Sequence, residues 1–238
     1  MLVAAAVCPC PPLLVPQVAA GAAAEVEPLR AACSDALAVV TAARPDRLVV
    51  LGPAEQPGIS RHPQGAAGSF REFGVDLEVR LGEAAGERPA EDGLPASLAV
   101  AAWLLEHTGW AAAPVEGLGI DTSLSAERCA EAGAETASPA DRVALLVMGD
   151  GSACRSVKAP GYLDERAADF DAEAARALGG ADPAGLLALD TGLAQELGAV
   201  GRAPWQVLAG AGEGAALSGE LLYDEAPYGV GYLVAAWS

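Results

Sequence analysis

The chain has 238 residues, with 14 Lys and Arg against 32 Asp and Glu, giving a formal charge of −18 at neutral pH. Lysine occurs once, as Lys158, and the arginines are scattered among acids, so the sequence offers no clustered basic surface for nucleic acid or for an anionic membrane. With 52% apolar and 5% aromatic residues, the composition is that of a globular protein built on Ala, Leu and Val, and it excludes disorder as the main state. A chain of this length can bury a large α/β core without disulfides or metals, and residues 1–238 read as a single domain.

Two histidines, His62 and His107, limit the chemistry further, because one chain cannot then build a three-histidine metal site. The five cysteines, at 8, 10, 33, 129 and 154, include no C-x-x-C pair, which fits a reducing, cytoplasmic setting. Residues 1–24 carry no charge, yet Pro9, Pro11, Pro12 and Pro16 interrupt them and no basic segment precedes them. They read as neither a signal peptide nor a membrane span, and a soluble cytoplasmic protein is expected.

Leu2 to Val7 is an unbroken apolar run that stops at Cys8-Pro9-Cys10-Pro11-Pro12, a buried strand leading into a rigid loop. Pro28 opens a helix through Leu29, Cys33, Leu37 and Val40 that closes before Arg44-Pro45, and Leu48 to Leu51 forms a second buried strand. Strand, helix and strand at this spacing form a βαβ unit with parallel strands. Gly52 to Gly68 reads as a long loop carrying Glu55 and an exposed His62, and Val75 to Leu81 alternates like an edge strand. Residues 82–93 read as surface; a helix follows from Leu94-Pro95 to a stop at Gly109, with His107 in its last turn.

Val115 to Ile120 is a strand ending at Asp121, with a helix from about Ser125 to Ala132. Val143 to Met148 is the clearest buried strand, and it runs straight into Gly149-Asp150-Gly151-Ser152-Ala153-Cys154-Arg155. Helices are expected over 164–178, 183–189 and 204–211, and then a strand pair at 220–223 and 230–236. The whole reads as an α/β fold, a mostly parallel sheet flanked by helices with a short C-terminal strand pair.

The 149–155 segment is the foremost site candidate. Glycines after a strand let backbone amides approach a ligand, and they place Asp150, Gly151, Ser152, Cys154 and Arg155 at the crevice of an open sheet. It lacks the G-K-[ST] of a phosphate loop, and Asp150 stands where a nucleophile elbow has glycine. The plain alternative is a tight strand-to-helix turn. Asp121 could face a ligand or cap the next helix, and Cys8 and Cys10 read as small buried residues more readily than as metal ligands.

These strand-end segments resemble the catalytic LigB-type subunit of class III extradiol ring-cleavage dioxygenases, a superfamily that also contains the Memo proteins. The likeness spans nearly the whole chain. The opening strand with Cys-Pro-Cys-Pro-Pro-Leu-Leu is similar to the family's first strand and His-Pro ligand loop, with Cys10 at the ligand histidine. Val49 to Glu55 is similar to the second ligand strand, Gly119 to Thr122 to an Asp-His-Gly segment, and Gly149 to Ser156 to a Gly-Ser-Gly-Ser-Ala-Thr-His-Asn stretch.

The resemblance implies Fe(II) held by two histidines and a carboxylate, with open positions for catecholate and dioxygen and a further histidine as acid and base. At the matching positions this chain has Cys10, Ala54 or Glu55, Thr122 and Arg155. None supplies imidazole, and an arginine cannot act as a base near neutral pH. The expectation is a LigB-like protein with a degenerate iron site, acting as a binder of a small anion, a scaffold or a redirected enzyme. Arg155 and the 149–152 amides would carry the anion.

Two alternatives stay open. One is an active metal-dependent oxidoreductase, a ring-cleavage dioxygenase with non-standard ligands, its Fe(II) or Zn held by a site rebuilt from Cys10, Glu55 and His62; otherwise no cofactor is expected. The other is thiol chemistry at Cys10 or Cys154, with a thiol pKa depressed by Arg155. The resemblance also leaves a homo-oligomer open.

Overall fold

A computed structural model describes residues 1–83, 93–137 and 141–238. In chain order the elements are β1 (Leu2–Cys8), α1 (Pro16–Ala19), α2 (Glu27–Ala42), β2 (Arg47–Ala54), β3 (Ile59–His62), β4 (Ala67–Ser69), β5 (Glu78–Arg80), α3 (Ala96–Thr108) and β6 (Val115–Asp121). There follow α4 (Ala126–Thr136), β7 (Val143–Met148), α5 (Ala167–Gly179), α6 (Pro183–Leu187), α7 (Thr191–Glu196), α8 (Arg202–Gly212), β8 (Gly219–Glu225) and β9 (Tyr232–Trp237).

Seven strands form one sheet in the order β3-β6-β2-β7-β1-β9-β8. The central four, β6, β2, β7 and β1, are parallel, while β3, β9 and β8 each run antiparallel to the neighbour on their inner side. The expected α/β architecture is therefore present, with the C-terminal strand pair joined to the main sheet through β9. Strands β1 and β2 are parallel as expected, but β7 lies between them and pairs with both.

The unbroken apolar runs follow from burial on both faces of the sheet. Ala5, Val7, Leu145 and Val147 face a core packed with residues of α4, α5 and α8. Ala4, Ala6, Leu146 and Met148 face a second core built on α2 and α3. At about 25 cal/mol per Å2 of apolar surface, these two layers are the main favourable contribution to the fold. Close approach at Gly52 sets the seat of α3, because a Cβ there would lie 2.6 Å from Ser97 Oγ. Gly149 is similarly required, since its Cβ would meet the Gly201 Cα at 2.4 Å.

Several boundaries differ from the sequence reading. The segment from Gly52 to Gly68 is not one long loop: it contains β3 and the start of β4. His62 is accordingly 5% exposed on β3, opposite Gly117, rather than out in solvent. The edge strand expected over Val75 to Leu81 is only Glu78–Arg80, paired with β4 in a separate two-stranded sheet. Helix α5 begins at Ala167 rather than Asp164, and α7 was not anticipated. Of the expected surface stretch 82–93, residues 84–92 lie outside the described residues.

Candidate functional site

Because β1, β2, β6 and β7 are parallel, the loops carrying Cys10, Glu55, Thr122 and Asp150 emerge along one edge of the sheet, where open α/β folds place ligands. Three of these four loops meet around a single cavity of about 740 Å3, lined among others by Cys10, Ala54, Glu55, Glu72, Ser97 and Thr122. Such a volume suits a small organic molecule. Glu55 and Glu72 are exposed at its rim, Cys10 is buried, and Ser97 donates from Oγ to the Pro53 carbonyl at 2.7 Å, tying α3 to the end of β2. The described lining contains no Lys, Arg or His. A second hollow of about 570 Å3 lies between α2 and the end of α3, beside His107, and contains none of the strand-end residues.

The glycine-rich segment after β7 behaves differently. Gly149 N donates to Cys8 O at 2.9 Å, Gly151 N to Gly231 O at 2.7 Å, Ala153 N to Leu197 O at 2.8 Å and Arg155 N to Gly229 O at 2.9 Å. Ser152 donates from N and from Oγ to the two carboxylate oxygens of Asp171, both at 2.7 Å, and Arg155 Nη1 completes the cluster at 2.9 Å. Asp171 is 1% exposed and Ser152 wholly buried. Of the amides expected to cradle an anion, those of Gly149, Gly151 and Ser152 are engaged within the fold, and the guanidinium pairs with a buried carboxylate. This is a turn that knits β7 to α5 and to the start of β9.

Asp150 is the exception in that segment. Its Oδ1 accepts the Cys10 amide at 2.7 Å and its own carbonyl accepts Gly201 N at 2.8 Å, so it lies between Cys10, which borders the cavity, and Gly201, whose neighbour Val200 does. Burial lifts its carboxyl to about 7, only partly opposed by the Cys10 hydrogen bonds. Burial likewise pushes the Cys10 thiol well above its ordinary range, with the Asp150 charge adding to the rise. The Cys154 thiol is also raised by burial, and Asp164 and Asp171 reinforce the shift. The depressed thiol that nucleophilic chemistry requires is thus found at neither cysteine, and Arg155 is held by Asp171 instead. All five cysteines are buried and free.

Asp121 is engaged locally. It accepts Ser123 N at 2.8 Å, Ser123 Oγ at 2.7 Å and Gly58 N at 3.2 Å, bonds that hold its carboxyl below the usual range, while Ser125 caps α4. Thr122 is positioned by a residue the sequence did not single out. Arg202, 1% exposed at the start of α8, donates to the Thr122 carbonyl and, at 2.6 Å, to the Leu124 carbonyl.

The donor set does not fit ferrous iron. Cys10 offers a thiol and Thr122 a hydroxyl where imidazoles are required, and the rim adds only the exposed carboxylates of Glu55 and Glu72. The rebuilt set is not assembled, since His62, its Nε2 3.1 Å from Ser60 Oγ, is not among the residues lining the cavity with Cys10 and Glu55. Among the described residues no group of three or more His, Cys, Asp or Glu side chains is placed to share an ion.

Fold and cavity together define an α/β protein with a mostly parallel sheet and a ligand-sized hollow at its carboxyl edge. No family model matches the chain, and no curated protein does. Among solved structures it is similar to the crystal structure of the uncharacterized protein JW3007 from Escherichia coli K12, with a TM-score of 0.58 and 15% identity over 99% of each chain. At that identity the likeness carries the fold alone. No helix among the described residues is long and apolar enough to cross a membrane.

Proposed function

We propose that the chain is a LigB-like protein whose crevice persists as a small-molecule binding site without the iron-ligand set. The observation that carries this reading is the convergence of Cys10, Ala54, Glu55 and Thr122, the positions matched to ligands or acid-base groups of the extradiol dioxygenases, on one cavity. Their side chains supply a protonated thiol, a methyl, a carboxylate and a hydroxyl, suited to hydrogen bonding rather than to activating dioxygen. With Glu55 and Glu72 at the rim, the cavity favours a hydroxylated or cationic ligand over an anion. Binding, or redirected chemistry on such a ligand, is the role this supports.

The test is direct. Protein purified without chelators is expected to contain far less than one equivalent of iron or zinc by elemental analysis and to consume no oxygen with catechol. In a thermal-shift panel, catechol or ethylammonium should stabilise it more than benzoate or phosphate, and Arg155→Ala should leave that ranking unchanged. Near-stoichiometric iron with oxygen uptake would overturn the reading in favour of a ring-cleavage dioxygenase.

A further inference from the structure

We propose that Asp150 is a proton-operated positioning residue for the cavity: as a carboxylate it clamps the Cys10 amide and holds the Pro-rich loop in place, and on protonation it slackens that clamp. The proposal rests on the cavity reading only for its functional consequence; the latch itself is a property of the ligand-free chain.

The geometry behind it is a bridge between two strand ends. Gly149 N holds Cys8 O, and one residue further along the first segment and two along the second Asp150 Oδ1 holds Cys10 N, so the loops after β7 and β1 are stitched twice. The first stitch joins neutral groups and does not change with pH. The second changes strength with ionisation, because an amide donates more strongly to a carboxylate than to a carboxylic acid. Cys10 is the residue through which this reaches the cavity, since it both lines the hollow and receives the latch.

The groups facing Asp150 leave it alone to titrate. Cys10 approaches from the loop after β1, Cys33 from α2 and Tyr232 from β9, and from the turn before α8 only the Gly201 amide reaches its carbonyl. Its hydrogen bond with Cys8, together with burial, keeps the Cys33 thiol neutral, and burial does the same for the Cys10 thiol and the Tyr232 phenol, through the range where Asp150 changes charge. No Lys or Arg among the described residues forms an ion pair with Asp150, so the titration is not absorbed by a salt bridge. Because the carboxyl changes state near neutrality, the latch operates in an ordinary working range of pH.

The experiment uses the full chain without ligand. The Cys10 amide, followed by 1H–15N NMR from pH 5 to 9, is expected to shift in one transition centred near 7. Its hydrogen exchange, corrected for base catalysis, should slow roughly fivefold across it as the bond strengthens. Asp150→Asn should abolish the transition, whereas Tyr232→Phe should keep it. A Cys10 amide that does not titrate in wild type, or that titrates unchanged in Asp150→Asn, overturns the proposal. Should that variant not fold, 13C-carboxyl titration of aspartate-labelled wild type decides, since a latch requires one buried carboxyl with a midpoint near 7. Failure here leaves the cavity reading standing, while a dry, ligand-indifferent cavity with a titrating Cys10 amide would sink that reading and keep the latch.

Discussion

The loop after β7 and the loops after β1, β2 and β6 leave the same edge of the same sheet, yet they do opposite work. In the first, the described amides at 149, 151, 152, 153 and 155 each donate within the fold, and the charges of Arg155 and Asp171 cancel. In the others, Cys10, Glu55 and Thr122 present side chains to an open volume. Glycine after a strand allows close approach, but what approaches here is the rest of the fold, the Gly201 backbone at Gly149 and the Asp171 side chain with the Gly231 carbonyl at Gly151. A conspicuous motif therefore marks a crowded place, and crowding serves scaffold or ligand alike.

The sharpest way to break this contrast is Asp171→Ala. The change strips three hydrogen bonds from Ser152 and Arg155 and leaves a guanidinium without its buried partner, so unfolding free energy should fall by about 3–5 kcal/mol in denaturant titration. If the loop were a ligand cradle instead, the variant would keep its stability and lose binding.

Asp150→Asn comes next, and its sign is opposite above neutrality. The folded-state carboxyl titrates near 7, above its ordinary 3.8, so its contribution to stability is fully present below the lower value and is lost as pH rises through the higher one. Asparagine keeps an oxygen for the Cys10 amide but cannot ionise. At pH 8 the variant should be more stable than wild type by on the order of 2–4 kcal/mol, and at pH 4 the two should converge. Equal stabilities at both pH values would place the carboxyl in water and detach it from the scaffold.

Thiol reactivity separates the regions by a smaller margin. Cys10 and Cys154 lie in different loops, but burial raises both pKa values, so each should react with iodoacetamide at pH 7.5 at least about tenfold more slowly than free cysteine. A fast Cys10 would mean that its loop opens readily into the cavity, and would blur the line between rigid and open strand ends.

The same contrast governs what could be read from the sequence. Strands β1 and β7 were legible because burial on both faces writes itself as unbroken apolar runs. Strand β3 was not, since Ile59 to His62 is extended only by pairing with β6, more than fifty residues away. Among candidate site residues, Cys10, Glu55 and Thr122 came together because they follow parallel strands, and that much is encoded in strand order. The engagement of Arg155 depends on Asp171, which pattern alone could have flagged: Ala167, Asp171, Ala174 and Leu178 recur at helical spacing, placing one acid on the buried face of α5. Arg202 offered no such signal, because the whole of α8 is buried and its carbonyl partners, Thr122 and Leu124, lie in a distant loop.

The smallest expected effect is the most discriminating one. Glu55→Gln changes an exposed rim side chain that enters no hydrogen bond or ion pair among the described residues, so folding stability should move by no more than about 0.5 kcal/mol. Affinity for a cationic probe such as ethylammonium should nevertheless fall severalfold, with the loss shrinking in high salt as the rim potential is screened. Calorimetry at two ionic strengths reads both quantities. A stability loss above about 1 kcal/mol would make Glu55 scaffold like Asp171, and an affinity indifferent to the change would remove the rim charge from recognition. Stability unchanged and binding weakened is the pattern that only an open strand end can give.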